Sequence, residues 1–190
     1  MSREVSARQK PLQILYRSEP ARAMVTDRAR ATGDHPEDPF HGRVLADKAD
    51  VSWRYGIHEK VGGFSDAPTS GDILCAALAT CLESTLRMIS SRLHVVLEAI
   101  SVSVSAEVDV RGTLLVDPDV PVGFLHMHCA AEIRAAEDTD PRMLDVLCRA
   151  AEHSCIVLST LRTGVPVTTS IDTGRPGEQS FGRGGETGQQ

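Results

Sequence analysis

The strongest constraint on the fold is a run of about twenty residues in which apolar side chains recur at the period of an α-helix. The run starts at Ser70 or Asp72, since either can serve as the N-cap. Its apolar positions are Ile73, Leu74, Ala77, Leu78, Cys81, Leu82, Thr85 and Met88. Small residues on several sides allow close packing from more than one direction. We therefore predict a long central helix from Asp72 to about Ser91, which needs a partner surface.

The sequence after this helix changes from a period of 3.6 to a period of two. Apolar and polar residues alternate over Leu97–Val116 and again in "FLHMHCAAEIRA", which indicates two half-buried strands. Asp140 and Pro141 then open a second helix, which ends at Gly164 and leads to a short strand in "VPVTTSID". Helices that are segregated from antiparallel strands predict an α+β fold.

The two ends of the chain differ from this middle part. Residues 1–42 read as an N-terminal extension with a strand or hairpin within Pro11–Arg30, and residues 43–173 as one domain. This domain begins with a strand that contains Trp53, the sole tryptophan. Residues 174–190 are rich in Gly and polar side chains, so we predict a disordered tail.

Composition excludes several classes of function. The formal net charge of -6 and the dispersed basic residues argue against nucleic-acid binding, and no run of about 18 uninterrupted apolar residues predicts a membrane span. No glycine-rich phosphate loop is present, and no cofactor is predicted. Five cysteines without the even spacing of a disulfide framework fit a reducing compartment, so we expect a cytoplasmic protein.

Three motifs carry a resemblance to a known family. The stretches "GDILCAALATC", "HVVLEAISVSVSAEV" and "VLCRAAEHSCIVLSTLRTGVPV" resemble the OsmC/Ohr family of osmotically inducible and organic hydroperoxide resistance proteins. The likeness runs from about Trp53 to Asp172, and its second signature consists of Ala151, His153, Cys155, Ser159 and Leu161. The resemblance implies antiparallel sheets wrapped around two central helices in an intertwined homodimer, with the active sites at the subunit interface.

The same resemblance implies a cysteine-based peroxidase that reduces organic hydroperoxides. Cys81 would be the peroxidatic thiol and Cys155 the resolving thiol, regenerated by an external dithiol. Because the thiolate is the nucleophile, a cation, hydrogen bonds or a helix N-terminus must lower the pKa of Cys81, and Lys60 or Arg54 are the candidates for the cation. Where the family has a Glu, this chain has Gly71, and Asp72 beside it is a candidate catalytic residue. The residue after the second cysteine is Ile156, where the family has Pro.

Two other interpretations remain. The missing Glu favours a non-catalytic dimer that binds a hydrophobic or electrophilic small molecule at the subunit interface. A zinc site is conceivable at His126, His128, Cys129, His153 and Cys155. We predict no metal site, because Cys129 points to the opposite face of its strand from both histidines and no paired CxxC occurs. Cys75, Cys129 and Cys148 are interpreted as packing residues.

Overall fold

The computed structural model describes residues 2–172 and 181–184. Within these ranges the chain forms five α-helices and seven strands. The helices are α1 (Ser2–Ser18), α2 (Ser70–Leu93), α3 (Val110–Thr113), α4 (Pro141–Ser154) and α5 (Ile156–Thr163). The strands are β1 (Ala29–Gly33), β2 (Gly42–Ala46), β3 (Val51–Tyr55), β4 (Leu97–Glu107), β5 (His126–Ala135), β6 (Thr168–Ile171) and β7 (Phe181–Gly184).

The strands of the described ranges pair in three antiparallel sheets. One has the order β1-β2-β3, the second joins β4 to β5, and the third joins β6 to β7. In the β4–β5 pair, Val104 lies opposite Cys129 and Ile100 lies opposite Ile133. The α+β class predicted from the alternation of periods is confirmed.

The core lies where α2 meets α4 and one face of the β4–β5 sheet. Leu86 and Ile89 of α2, Val95 after it, and Leu147 and Ala151 of α4 form one buried cluster. Apolar side chains of β4, β5 and α4 extend this cluster at its margin. The packing fixes the position of α4 along α2, and therefore of every side chain that faces between the two helices.

The start of α2 is held by a capping box. The N-cap is Thr69, whose hydroxyl accepts a hydrogen bond from the Asp72 N–H (3.2 Å). The Asp72 carboxylate accepts bonds from the Thr69 N–H and hydroxyl, both at 2.8 Å. The prediction that Ser70 or Asp72 is itself the N-cap is therefore wrong. The N-cap precedes Ser70 by one residue, and Asp72 acts from the third helical position.

By length and composition alone, α2 would be long and apolar enough to cross a membrane. Its packing is that of a core helix, because α1, β4, α4 and α5 all lie against it. Polar residues also interrupt its apolar run, among them Glu83, which is paired with Arg87 on the next turn. Length and composition are weak evidence for a membrane span in a helix so packed.

The N-terminal prediction is largely wrong. Residues 2–18 form α1, which packs against α2, and only β1 supplies a strand in the first 33 residues. The alternation of Leu12 and Ile14 suggested a strand, but both side chains are largely exposed at 43% and 66%. The half-buried side chains of α1 are Val5, Ser6, Gln9, Leu15 and Tyr16. The alternation of apolar and polar residues in this segment therefore does not reflect alternating burial.

Three further boundaries differ from the predictions. β4 ends at Glu107, where Asp109 caps the short helix α3 by accepting a bond from the Arg111 N–H. The predicted second helix is two helices, because Cys155 between them has an extended backbone (φ -74°, ψ 109°). The predicted disorder of the tail is wrong for residues 181–184, which pair as β7 with β6. The other residues of that tail lie outside the described part of the chain.

The capping box makes a testable prediction about stability. We expect Asp72→Ala and Thr69→Ala each to lower the free energy of unfolding by about 1 kcal/mol, because each leaves N–H groups of the first turn unpaired. Hydrogen bonds from the Thr69 backbone and side chain lower the pKa of Asp72. Its contribution is therefore present above the unfolded-state pKa and disappears as the pH falls through the folded-state pKa.

Urea denaturation at several pH values measures this effect. Ser70→Ala is the matched control, since the exposed Ser70 lies in the same turn and is not the capping residue. A loss for Ser70→Ala as large as that for Thr69→Ala would contradict the assignment of the cap.

Candidate functional site

Cys155 lies at the joint between α4 and α5 and is completely buried. Burial raises the pKa of its thiol, the backbone amides of Leu158 and Val157 at the start of α5 lower it, and an interaction with the Cys81 thiol raises it further. Burial is the largest of these effects, so the Cys155 side chain is held as a protonated thiol.

Cys81 lies in the middle of α2 and is half-buried. The hydroxyls of Ser84 and Thr85 donate to its backbone carbonyl, at 3.1 and 2.7 Å, so neither of these hydroxyls is bonded to its sulfur. The sulfur interacts instead with the Cys155 thiol. Both residues are free cysteines. The fold thus brings together two thiols that are 74 positions apart in sequence, because α4 and α5 both pack on α2.

The two thiols differ in burial. A nucleophile must ionise and must be reached by its substrate, and Cys155 is buried with a raised pKa. Cys81 is the more accessible of the two. The arrangement suits attack by Cys81 and subsequent condensation with Cys155.

An open groove of about 730 Å³ runs beside the thiol pair. One wall is a stripe of leucines on α2 at four-residue spacing, Leu74, Leu78, Leu82 and Leu86. At 1.5 Å per residue this stripe is roughly 18 Å long. The other walls are β5 and the helices α4 and α5, which contribute Ile133, Leu158 and Leu161 among others. Leu78 and Leu82 flank Cys81 in sequence, although neither thiol of the pair lines the groove.

Polar groups line part of this leucine groove. Arg162 of α5 donates to Glu152 of α4 at 2.6 Å, and His126 and His128 lie along β5. Cys129 also lines the groove, and burial raises the pKa of its thiol while the Arg162 charge lowers it.

A further cysteine lies on α4 in the same groove. Cys148 is exposed to solvent and lines the groove, so the prediction that it is a packing residue is wrong.

Asp72 and Gly71 lie at the N-terminal end of α2. The Asp72 carboxylate is engaged with Thr69 in the capping box. A Cβ placed on Gly71 would lie 3.3 Å from Cζ of Phe124, which also lines the leucine groove. The space next to Gly71 is therefore bordered by an aromatic ring, and the nearest carboxylate in sequence serves the helix start.

The two candidate cations have different surroundings. Arg54 lies on β3 between two carboxylates, with its Nε 3.5 Å from Asp34 and its Nη1 3.9 Å from Asp66. Lys60 is exposed in a short 3₁₀ turn, Glu59–Val61, where its backbone N–H donates to Nδ1 of His58. Among the residues that the structure describes, its ammonium makes no ion pair. The structure brings Cys81 and Cys155 together, and neither Lys60 nor Asp72 joins them in the described part of the chain.

Metal-ligating side chains do not cluster in the described ranges. Across residues 2–172 and 181–184, no group of three or more His, Cys, Asp and Glu side chains is arranged to hold a metal ion. His126, His128 and Cys129 lie within the first four positions of β5 and point to both of its faces.

Sequence reasoning missed the leucine groove, although the signal for it was present. Leu74, Leu78 and Leu82 were recognised as apolar positions of α2, and their four-residue spacing marks a single stripe on the helix. The ion pair between Glu152 and Arg162 has no local signal, because it joins two helices across the joint at Cys155.

Solved structures with the same fold are available for comparison. An OsmC-like protein of unknown function from Vibrio cholerae superposes with a TM-score of 0.60 at 10% identity, covering 72% of this chain and 94% of its own. Organic hydroperoxide resistance proteins from Elizabethkingia anophelis and Legionella pneumophila superpose with TM-scores of 0.56 and 0.53, at 17% and 19% identity. They cover 74% and 75% of this chain, and 91% and 93% of their own. At these identities the likeness shows the fold alone.

The sequence itself gives the family. No curated protein matches the chain by sequence. The sequence profile described as OsmC-like protein matches residues 63–170, which is more than half of the chain and includes both Cys81 and Cys155. The resemblance seen in the cysteine motifs is thereby confirmed, and the chain belongs to the OsmC family.

Proposed function

We propose that this OsmC-family protein is a cysteine-based peroxidase for organic hydroperoxides. The observation that carries the proposal is the interaction of the half-buried Cys81 thiol with the buried Cys155 thiol beside an apolar groove. Several proteins of the same fold are named organic hydroperoxide resistance proteins, which agrees with this chemistry. The family consists of soluble proteins, and we place this one in the cytoplasm because a reducing compartment suits its five free cysteines.

The reaction has three balanced steps. The Cys81 thiolate attacks the distal oxygen of the hydroperoxide, the O–O bond breaks, and the alkoxide leaves and takes up a proton as the alcohol. Cys81 is then a sulfenic acid. The Cys155 thiol condenses with it, which forms the S–S bond and releases water. An external dithiol reduces this disulfide and becomes a disulfide itself.

The leucine groove supports an organic substrate over hydrogen peroxide. An alkyl tail placed along Leu74, Leu78, Leu82 and Leu86 gains about 0.8 kcal/mol for each buried methylene. Hydrogen peroxide has no tail and gains nothing from such a surface. Leu78 and Leu82 flank Cys81 in sequence on α2, so the proposal directs the hydroperoxide end of a bound tail toward that thiol.

Cysteine variants test the assignment of the two thiols. We expect Cys81→Ser to abolish consumption of cumene hydroperoxide, because a hydroxyl does not ionise as a thiol does. Cys155→Ser should consume about one equivalent per site and then stall, because the sulfenic acid forms without a resolving partner. Mass spectrometry of the wild type after one equivalent should find a peptide that links Cys81 to Cys155.

Cys75→Ser is the matched control on α2 and should keep the wild-type turnover. Full turnover by Cys81→Ser would exclude the proposal. A disulfide between Cys129 and Cys148 in the oxidised wild type would show that these two groove cysteines carry the reaction instead.

The cation that activates Cys81 is the second proposal about the site. We favour Lys60, because two aspartates already pair with Arg54 and Lys60 makes no ion pair in the described ranges. Since Lys60 does not join Cys81 within one chain, the proposal requires that the second copy of the homodimer implied by the family supplies it. We expect Lys60→Met to move the pH midpoint of Cys81 alkylation by iodoacetamide upward by about one pH unit, since loss of a nearby cation disfavours the thiolate.

Lys48→Met, which removes an exposed lysine from the β2–β3 turn, is the control and should leave the midpoint unchanged. An upward shift for Arg54→Met with none for Lys60→Met would assign the role to Arg54 instead.

The homodimer implied by the family is the third proposal. The β1–β2–β3 sheet packs extensively against no other described element, and it presents Val51 and Trp53 to solvent. Val96, Val165 and Val167 are also largely exposed. A second copy would cover such surfaces, and we expect sedimentation at micromolar concentration to give a dimer of about 41 kDa, twice the 20.5 kDa chain. A folded monomer under these conditions would contradict this proposal.

A non-catalytic binding protein is the alternative. The observation that favours it is the N-terminal end of α2, where Gly71 and the ring of Phe124 stand and the Asp72 carboxylate is held by Thr69. The site then lacks a carboxylate that could orient a cation. An inactive wild-type protein whose Cys81 stays unmodified by cumene hydroperoxide would support this alternative.

A further inference from the structure

The side chain of His41, just before β2, lies between two carboxylates. Its Nδ1 is 2.7 Å from Asp38 and its Nε2 is 3.0 Å from Asp66. The ring stacks on Phe64, with centroids 5.9 Å apart and planes within 9°, and Phe40 meets the edge of Phe64. Only 11% of the His41 side chain is exposed. Asp38 belongs to the β1–β2 connection, whereas Asp66 belongs to the segment that leads into α2.

Both contacts of the ring can be hydrogen bonds in only one protonation state. A neutral imidazole has one N–H donor and one acceptor nitrogen, and an ionised carboxylate can only accept. The imidazolium has two donors and satisfies both aspartates. A neutral His41 keeps one bond and turns a lone pair toward the other carboxylate.

We propose that His41, as an imidazolium between Asp38 and Asp66, is a pH-sensitive clasp that fastens residues 56–69 to the β1–β2 connection. The residues of this clasp are Asp38, His41 and Asp66. The two ring nitrogens point to separate carboxylates, so the three side chains do not converge on one point as metal ligands would.

The segment held by the clasp is tied together internally. The Ser65 N–H donates to the Ile57 carbonyl, the Gly56 N–H to the Pro68 carbonyl, and the Glu59 N–H to the Ser65 hydroxyl. Fixing Asp66 therefore orders the whole segment, up to the capping box at Thr69. His41 is in this sense a positioning residue for Lys60. That consequence rests on the proposed function, whereas the clasp itself does not.

Other charges around the clasp act on its titration. Arg54 lies 3.9 Å from Asp66 and opposes protonation of His41. Arg54 and Arg43 both pair with Asp34, at 3.5 and 3.4 Å.

The two carboxylates bonded to His41 have the largest effects on its pKa. Hydrogen bonds to Asp38 and then to Asp66 raise the pKa of His41 above its ordinary value, and the bond to His41 lowers the pKa of both aspartates.

The direction of the pH effect follows from these shifts. A raised histidine pKa stabilises the folded segment fully below the unfolded-state value of about 6.5, and this is lost as the pH rises through the folded-state pKa. The lowered aspartate pKa values stabilise it above about 3.9, and this is lost as the pH falls through their folded-state values. The clasp is therefore closed at mildly acidic pH and opens on both sides of that range.

Hydrogen exchange and NMR on the full-length protein test the clasp. We expect the ring-proton resonances of His41 to titrate above pH 6.5. Exchange protection of residues 56–69, corrected for the intrinsic rate, should fall roughly two- to fivefold as the pH rises through that midpoint. In Asp66→Asn the His41 midpoint should drop and the pH-dependent step in protection should disappear.

His35→Gln is the matched control, because His35 lies in the same connection and its Nδ1 accepts the backbone N–H of Glu37 (3.3 Å), not a carboxylate contact, within the described residues. It should keep the step. A wild-type His41 midpoint at or below pH 6.5, or protection of residues 56–69 that does not change through the midpoint, would overturn the proposal. Neither result depends on peroxidase activity, so failure of the clasp and failure of the proposed function are distinguishable.

Discussion

The packing of α4 on α2 is the interaction on which the rest of this structure depends. Leu147 and Ala151 of α4 are completely buried in the cluster that contains Leu86 and Ile89 of α2. A core of this kind is close-packed, so it fixes one helix relative to the other to within a fraction of a side chain. Cys155 is one turn beyond Ala151 and Cys81 is little more than one turn before Leu86. Their encounter is a direct result of the hydrophobic contact.

Burial also separates the properties of the two thiols. Cys155 is completely buried and its thiol is protonated, whereas Cys81 keeps part of its surface accessible. One hydrophobic contact therefore creates both the proximity and the asymmetry that a two-cysteine mechanism uses. The charged side chains of Asp66 and Asp72 act in a different part of the molecule. There they order the segment that leads into α2, through the contact of Asp66 with His41 and through the capping box at Thr69.

The sequence predicted those parts of the fold in which local pattern and burial agree. The apolar period of α2 and the alternation of β4 and β5 reflect real buried faces, so the bounds predicted for α2 and β5 and the start of β4 are close to those observed. Leu12 and Ile14 alternate without being buried, and the strand predicted there is a helix. The break at Cys155 could not be seen, because helix-forming residues continue on both sides of it.

For the candidate site, the sequence motifs selected the two cysteines, but their proximity came only from the fold. Asp72 was selected for its position next to Gly71, and its carboxylate has a sufficient local role in the capping box. The His41 clasp includes a contact between residues 25 positions apart, His41 and Asp66, and has no sequence pattern of its own. Ion pairs between residues so far apart in sequence depend on tertiary structure, and sequence periodicity does not predict them.

The extended backbone at Cys155 has a mechanical consequence for the disulfide proposed between Cys155 and Cys81. A disulfide requires Cα atoms within about 7 Å and a restricted dihedral angle, so the two sulfurs must adjust as the bond forms. A cysteine inside a helix could move only by distorting the regular dihedrals of its neighbours. Cys155 stands between α4 and α5, and small rotations at this one residue can carry the sulfur through the adjustment while both helices keep their shape. The joint would therefore let the proposed disulfide form and break without distorting either helix.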